Sequence, residues 1–317
     1  IRDPLWSRGL GDVYKRQLSE LYTEIVAEAL FVASERSIMR PLVRNYAVTG
    51  GGKSVEVPIY SAVSAAAVSE ASDLSNTAID PTSKTITCSE HGIMTTLTDL
   101  ARNSAPRNVA GDIGRLFGEA IAKKIDTDLT ALFDGFSQEV NDGTAVLSAS
   151  NIFNAVAILR KNAVPMSDLA GVFHPLNAFD LKSGLTNTFV GRDTEKSNEA
   201  LNTGFVGNVA GVPIFETSNI ADTSGNNPGT TGDYKGAVFH RDALALAMMQ
   251  DLKIETQRDA SLRADEIVAT AVYGTGELND TYGAVSYTHL RAHETREDRG
   301  FRGMLEKKKW GGGGGGG

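Results

Sequence analysis

The chain has a single cysteine, Cys88, among its 317 residues, which excludes an internal disulfide and favours a reducing compartment. It has no apolar run near the ~18 residues that a membrane-spanning helix needs. Ile1–Gln17 is basic but lacks an apolar core, so it does not have the pattern of a secretory signal. The net charge of −8 argues against sequence-independent binding of nucleic acid, which requires clustered Lys and Arg. The composition is typical of a globular protein with one large domain or two to three smaller ones.

Both ends of the chain resemble material that is foreign to the protein. The sequence closes with EKKKWGGGGGGG, whose codons would read as a run of A, one T and an unbroken run of G. PLWSRGLGDVYKRQ and SYTHLRAHETRED resemble translated adapter sequence. We therefore expect residues 1–17 and 286–317 to be sequencing artefacts, with a genuine basic tail as the alternative. These flanks carry net charges of +2 and +3, which leaves −13 on Leu18–Val285.

The segment TGGGKS resembles a phosphate-binding loop because glycines precede Lys53. The complete motif needs glycine at position 47, and this chain has Ala47 there. A phosphate loop also leads into a helix, whereas the following VEVPIY alternates as a strand and contains Pro58. A nucleotide-dependent enzyme is therefore a distant alternative, and Lys53 is interpreted as a surface or interface charge. We predict a flexible joint formed by Gly50, Gly51 and Gly52.

The first part of the chain predicts a helix followed by a projecting loop. Apolar residues over Leu18–Arg40 have helical spacing, and Pro41 ends the helix. Lys84–Leu97 is an extended segment in which Gly92 suggests a bulge. Residues 61–83 have few large apolar side chains, so this stretch should project from the body or lean on a partner. An earlier extended segment is indicated by the alternation of Val55, Val57 and Ile59.

Asp112–Phe136 gives the clearest helical signal in the chain, because one apolar stripe continues along its whole length. Asp112 is the predicted N-cap, and Gly135 breaks the end of the helix. A stripe of that length predicts a helix that lies across a sheet. Its members are Ile113, Leu116, Phe117, Ala120, Ile121, Ile125, Leu129, Leu132 and Phe133.

Shorter predicted elements alternate through the rest of the chain. Ser150–Asn162 is predicted to be a helix with Ile152, Phe153, Val156 and Leu159 on one face. GVFHP is predicted to be a buried strand, LNAFDLKSGL a helix and VAGVPIFET a strand. Thr217–Asp233 is rich in Asn, Gly, Ser, Thr and Pro and is predicted to be a loop. GAVFH then predicts a strand and RDALALAMMQ a helix, and LKIETQRDA and ADEIVATAVYG predict two final strands.

Cysteine and histidine do not form a catalytic or metal-binding pattern in this sequence. Cys88 and His91 lie three residues apart on a strand, so their side chains would point to opposite faces. No second cysteine pair exists to complete a zinc site. His174 and His240 each end a VFH strand, where we expect a hydrogen-bonded histidine rather than a catalytic one. No Gly-x-Ser-x-Gly motif supports a hydrolase triad.

Two groups of charged residues also have structural interpretations. Asp126 and Asp128 lie two apart on a helix, so they point in different directions and cannot act as a carboxylate pair. The segment TQRDASLRADE, which contains Arg258 and Arg263, is typical of a solvated or interface salt-bridge surface. We therefore predict no catalytic residue, no metal and no cofactor.

The order of these elements resembles the major capsid protein of tailed bacteriophages. The likeness is sharpest over Tyr234–Val285, which is similar to the closing portion of such coat proteins. GVFHPLNAFDL and GNVAGVPIFETSNI resemble the family's axial domain. The resemblance implies an α+β HK97-like fold. It divides the chain into an N-terminal arm (18–46), an extended β-loop (47–98), a peripheral domain with a spine helix (99–145), an axial domain (146–231) and returning peripheral strands (232–285).

The resemblance also implies how such a protein works. Family members are not enzymes; they form hexamers and pentamers that close into an icosahedral shell around double-stranded DNA in the host cytoplasm, with scaffolding protein and portal as further partners and no membrane. An acidic body avoids adhering to packaged DNA. The alternative with the same fold is an encapsulin-type compartment that encloses enzymes. The expected assembly hinge and interface residues are Gly50, Gly51, Gly52, Lys53, Glu70, Asp73, Arg258 and Arg263.

Overall fold

A computed structural model describes residues 25–33, 36–49, 52–60, 81–104, 109–142, 147–186, 205–221 and 233–289, with isolated positions between 61 and 80. The helices are α1 (residues 25–33), α2 (Asp99–Ser104), α3 (Val109–Ala131), α4 (Ala149–Lys161) and α5 (Pro175–Thr186). The strands are β1 (Arg44–Ala47), β2 (Ser54–Ile59), β3 (Thr82–Thr87), β4 (Ser89–Thr98), β5 (Glu139–Asp142), β6 (Leu169–Phe173), β7 (Phe205–Val209), β8 (Val212–Glu216), β9 (Asp233–His240), β10 (Leu244–Asp259), β11 (Ala264–Glu277) and β12 (Gly283–His289).

The strands form three sheets. A four-stranded sheet has the order β1-β10-β11-β4, and a six-stranded sheet has the order β5-β12-β9-β6-β8-β7. The third is the antiparallel pair of β2 and β3. Residues 233–289 contribute to both large sheets, because β9 and β12 lie in the second sheet while β10 and β11 form the long hairpin of the first. β12 includes Ser286–His289, the first residues of the segment 286–317.

Helix α3 lies across the four-stranded sheet, which confirms the sequence-based prediction. Phe117, Ile121, Ile125 and Leu129 are buried in the main core, and burial of each such side chain stabilises the fold by roughly 1.5–3 kcal/mol. The helix begins at Val109, so Asp112 lies within the first turn rather than at the N-cap. A 3₁₀ turn over Leu132–Gly135 closes it.

Two apolar side chains of the predicted helical faces point outward instead. Leu116 in α3 is 61% exposed, and Phe153 in α4 is 58% exposed. The predicted apolar faces include exposed residues, because the face that each helix buries is narrower than the set of apolar residues in its sequence. The remaining apolar residues predicted for α4, Ile152, Val156 and Leu159, are buried.

The segment RDALALAMMQ is a strand, so its helical prediction is wrong. Only Arg241–Ala243 forms a helical turn, of the 3₁₀ type, and β10 then runs from Leu244 to Asp259. Leu, Ala and Met favour helices in isolation. Here β10 lies between β1 and β11, and its first four residues are all buried. Pairing on both edges and burial on both faces override the local preference.

Two further predictions need correction. The first helix does not continue to Arg40, because by Ser37 the chain has left the helix and the N–H groups of Ile38 and Met39 bind a side chain of α3. Gly92 is not in a bulge, since β4 pairs with β11 without a register shift. A Cβ atom at Gly92 would lie 3.2 Å from the carbonyl oxygen of Ala269, so glycine permits a close strand approach.

Two glycines of α3 let α1 approach it closely. A Cβ atom at Gly114 would lie 2.6 Å from the carbonyl oxygen of Ile25, and one at Gly118 would lie 2.4 Å from that of Ala29. No side chain fits in either place. Ion pairs Arg115–Glu28 (3.3 Å) and Arg36–Glu119 (3.4 Å) flank this contact. The N-terminal helix is therefore attached through backbone contact, which the sequence pattern did not reveal.

Substitution Gly118→Ala tests this contact. In an isolated helix the change would stabilise by up to about 1 kcal/mol, but here the new methyl group overlaps the backbone of α1. We expect the free energy of unfolding to fall by about 1–3 kcal/mol, as measured by chemical denaturation. Leu116→Ala is the control, with an expected change within about 0.5 kcal/mol because the side chain is exposed. A stabilised Gly118→Ala variant would contradict the packing.

Candidate assembly surfaces

The described residues do not contain a group of three or more His, Cys, Asp or Glu side chains that could hold a metal ion. Cys88 is buried with its Sγ atom 3.6 Å from the carbonyl oxygen of Ala247, and burial raises the pKa of its thiol. His91 instead stacks on Tyr273 at 4.6 Å. The two side chains predicted to point apart thus have separate partners. None of the helices in the described ranges is both long and apolar enough to cross a membrane.

The strand-end histidines have structural partners. His174 stacks on Tyr234 with ring centroids 3.5 Å apart, and its Nδ1 atom accepts a hydrogen bond from the N–H of Leu176. His240 is buried, and its Nδ1 atom accepts from the N–H of Asp242 at 3.2 Å. These contacts fix the turns that follow β6 and β9.

The glycine joint leads into a strand. β2 begins at Ser54, so the segment lacks the helix N-terminus that a phosphate loop requires. Gly52 and Lys53 are exposed, and the carbonyl oxygen of Lys53 accepts a hydrogen bond from the N–H of Cys88 at 2.7 Å. This bond joins the first limb of the loop to the second at its base. Gly50, Gly51 and Glu70 lie outside the described residues, and Asp73 is exposed.

The second limb of the loop is anchored to the four-stranded sheet. β3 pairs with β2, whereas β4 pairs with β11, so the predicted segment Lys84–Leu97 divides at Cys88. A Cβ atom at Gly274 in β11 would lie 2.3 Å from the carbonyl oxygen of Thr87. The base of the loop therefore rests against the sheet, and Val63 and Ile79 between β2 and β3 are 53% and 57% exposed.

The tip of the β10–β11 hairpin carries the two arginines singled out from the sequence. Arg258 binds both oxygens of Asp99 at 2.8 and 2.6 Å and also contacts Asp265 at 3.2 Å. The hydrogen bonds to Asp99 hold the pKa of Arg258 above its usual range. Arg263 acts through its backbone, because its carbonyl oxygen accepts from the N–H of Asp99 at 3.0 Å. Leu262 and Leu100, beside these groups, are 57% and 79% exposed.

Helix α5 presents a second exposed apolar surface. Leu176 and Phe179 lie one turn apart on the same face and are 46% and 65% exposed. The opposite face of α5 is anchored by Ala178 and Leu181, which are fully buried. Phe153 on the neighbouring helix α4 is likewise exposed. Large exposed apolar side chains on ordered helices indicate contact surfaces for a partner.

A buried junction on α3 was missed by the sequence analysis. Asp126 has no exposed surface, and its carboxylate accepts hydrogen bonds from the Ser37 hydroxyl (2.7 Å), the Ile38 and Met39 N–H groups (3.1 and 3.2 Å) and the Asn219 side-chain amide (3.4 Å). Burial raises the pKa of this carboxyl group, and the four hydrogen bonds oppose that shift. An acidic residue within an apolar stripe is the one signal that could have indicated it.

Asp128 faces elsewhere, as predicted. Its carboxylate contacts Lys124 at 2.6 Å and accepts a hydrogen bond from the hydroxyl of Tyr273 at 2.8 Å. Tyr273 is almost fully buried in β11, and burial raises its pKa. The two aspartates therefore join α3 to different parts of the molecule.

The hairpin tip allows a test of arginine geometry. Arg258→Lys retains the charge but loses the paired hydrogen bonds to Asp99. We expect the amide of Asp99 to exchange with solvent faster, by hydrogen-exchange mass spectrometry, while the fold is retained. Arg263→Lys is the matched control, because that residue contributes a carbonyl oxygen. Equal exchange rates in both variants would mean that the guanidinium does not hold the tip.

Comparison with known proteins identifies the fold. The profile of the phage capsid protein family matches residues 81–286. Similar structures are the capsid of cyanophage P-SCSP1u (TM-score 0.62, 19% identity, 80% of this chain and 88% of that chain) and Mycobacterium phage Che8 (0.57, 23%, 74% and 84%). A third is the mature capsid of bacteriophage PhiM1 (0.56, 15%, 80% and 87%). No curated protein matches. Because the family profile covers more than half of the sequence, this chain belongs to the phage capsid protein family, with the HK97-like fold of tailed-phage major capsid proteins.

Proposed function

We propose that this chain assembles into hexamers and pentamers that close into the icosahedral head of a phage around double-stranded DNA. The match of residues 81–286 to the phage capsid protein family carries the proposal. Membership of that family indicates a structural role in the capsid of a virion, built from many copies of one chain. The similar structures include capsids of a cyanophage and of PhiM1.

The distribution of exposed apolar side chains supports multiple contacts between copies. They lie on separate surfaces: the hairpin tip, α5 with α4, and the projecting loop. A subunit in a closed shell meets neighbours on several sides, whereas a single exposed patch would suffice for a dimer. The residues are Leu100, Leu262, Phe153, Leu176, Phe179, Val63 and Ile79.

The division into arm, loop, peripheral domain and axial domain is part of this proposal. In it, residues 47–98 reach over a neighbouring subunit, with the glycine joint at residues 50–52 as hinge and Lys53, Glu70 and Asp73 as interface charges. Residues 146–231 surround the capsomer centre, and Arg258 and Arg263 lie at an interface between subunits. The small-residue composition of the loop is consistent with burial by a partner rather than by its own body.

The charge of the chain supports enclosure of DNA without tight binding. Leu18–Val285 carries −13, and an acidic shell repels the phosphate backbone instead of trapping it. Assembly in the host cytoplasm, with a scaffolding protein and a portal, completes the proposed pathway. A terminase or portal gene beside this one would favour the phage head, whereas a cargo-enzyme gene would favour the encapsulin-type compartment.

Substitution Phe179→Ser tests the α5 contact surface. The side chain is largely exposed in the single subunit, so we expect the free energy of unfolding to change by less than about 0.5 kcal/mol. Assembly should fall strongly, because the change places a hydroxyl group where an apolar contact forms. Sedimentation velocity of wild type and variant, with any scaffolding protein supplied equally to both, measures the assembled fraction. Normal assembly of the variant would show that α5 is not part of the contact surface.

The projecting loop is tested by shortening it. Ile59 pairs with Thr82, so replacing residues 60–81 with an Asn-Gly dipeptide leaves a two-residue hairpin in the same register. We expect a folded subunit with an unchanged unfolding midpoint that forms no shells in negative-stain images. Shells of normal size and yield from this variant would show that the loop does not join subunits.

A further inference from the structure

We propose that Asp126 is a proton-responsive latch that holds the root of the N-terminal arm, Ser37–Met39, and the turn at Asn219 on helix α3, more firmly when the carboxyl group is protonated. The carboxylate is completely buried and is the shared acceptor of four donors from two distant segments. The latch belongs to the single subunit and does not depend on the proposed function.

The latch lacks a compensating cation within the part of the chain that the structure describes. The two arginines of the arm root bind elsewhere: Arg36 pairs with Glu119 at 3.4 Å, and Arg40 pairs with Asp251 at 3.2 Å. On α3 itself, Lys124 pairs with Asp128, and Lys123 is exposed at the surface. The turn from Thr217 to Ile220 contributes no charged side chain. A buried charge without an opposite charge is costly even when it is hydrogen-bonded.

The protonated carboxyl group fits the same site. Its new O–H needs an acceptor, and the Ser37 hydroxyl can supply one because it already accepts from the N–H of Arg40 at 3.3 Å and has a second lone pair. Rotation of the Asn219 amide by 180° would offer its carbonyl oxygen as another acceptor. The Met39 N–H binds Oδ1 and the Ile38 N–H binds Oδ2, so the unprotonated oxygen keeps one backbone hydrogen bond and the protonated oxygen accepts the other through its remaining lone pair. Protonation therefore removes the buried charge while the arm stays bound.

The direction of the pH effect follows from linkage. In the released state Asp126 is hydrated and has an ordinary pKa of about 3.9, whereas in the latched state burial raises its pKa. The latched state therefore binds the proton more tightly. The free energy therefore favours the latched state over the released state increasingly as the pH falls through the raised pKa. This gain is complete below the ordinary pKa of the released state.

Amide exchange at Ile38 and Met39 reports on the latch directly, because both N–H groups donate to Asp126. The full chain would be measured from pH 7 to 4, with intrinsic exchange rates corrected for pH and assembly state matched by sedimentation. We expect protection in the wild type to rise as the pH falls. Asp126→Asn, a neutral isostere, should give protection that does not vary with pH.

Asp126→Ala leaves the buried donors without an acceptor. It should therefore raise the exchange rate at Ile38 and Met39 by about tenfold or more at every pH. If that variant does not fold, Ser37→Ala removes one donor and should raise the rate less. Asp128→Asn, two residues away, is the control with wild-type pH dependence. The proposal is wrong if exchange at Ile38 and Met39 responds identically to pH in the wild type and in Asp126→Asn. It is also wrong if Asp126→Ala keeps wild-type protection of these amides; where that variant does not fold, the same outcome for Ser37→Ala decides.

Discussion

The subunit depends on a single packing constraint, which is that helix α3 must contact three parts of the chain at once. One side buries Phe117, Ile121 and Ile125 against the four-stranded sheet. A second side, made of Gly114 and Gly118, receives the backbone of α1. Asp126 then binds the arm root and the turn after β8. Because these contacts share a rigid helix, the positions of arm, sheet and turn are linked.

This arrangement explains the distribution of polar and apolar groups in the subunit. Two aspartates of α3 form junctions with other segments: the buried Asp126 binds the arm root, and the half-buried Asp128 binds Tyr273. Several of the exposed apolar side chains lie on other elements, at the hairpin tip and on α5. A subunit of a shell needs both properties, because it must be rigid as a single chain and must bind neighbouring subunits at several separate surfaces.

Local patterns predicted most elements, because strands and helices with one buried face carry that periodicity in their sequence. β2, α3 and α4 were found for this reason. RDALALAMMQ was assigned wrongly because β10 is buried on both faces, so its composition resembles a helix and only its neighbours decide. Tyr234–Val285 and the segments GVFHPLNAFDL and GNVAGVPIFETSNI were sufficient to suggest the family.

The assembly surfaces and the Asp126 junction were less predictable, for a physical reason. Asp126 and Ser37 are 89 residues apart, and no local sequence pattern indicates that they are in contact. Glycine is needed at position 118 because a Cβ atom there would overlap the carbonyl oxygen of Ala29, which is equally remote in sequence. Arg258 was singled out correctly as part of a salt-bridge surface, but its partner Asp99 lies 159 residues away.

We expect this subunit to cover its exposed apolar surfaces with copies of itself. Cryo-electron microscopy of particles formed by the full chain measures this directly. We expect closed shells with rings of five and six subunits, in which Leu100, Phe153 and Phe179 are buried against neighbouring copies. Absence of closed particles, or shells in which these side chains still face solvent, would contradict it.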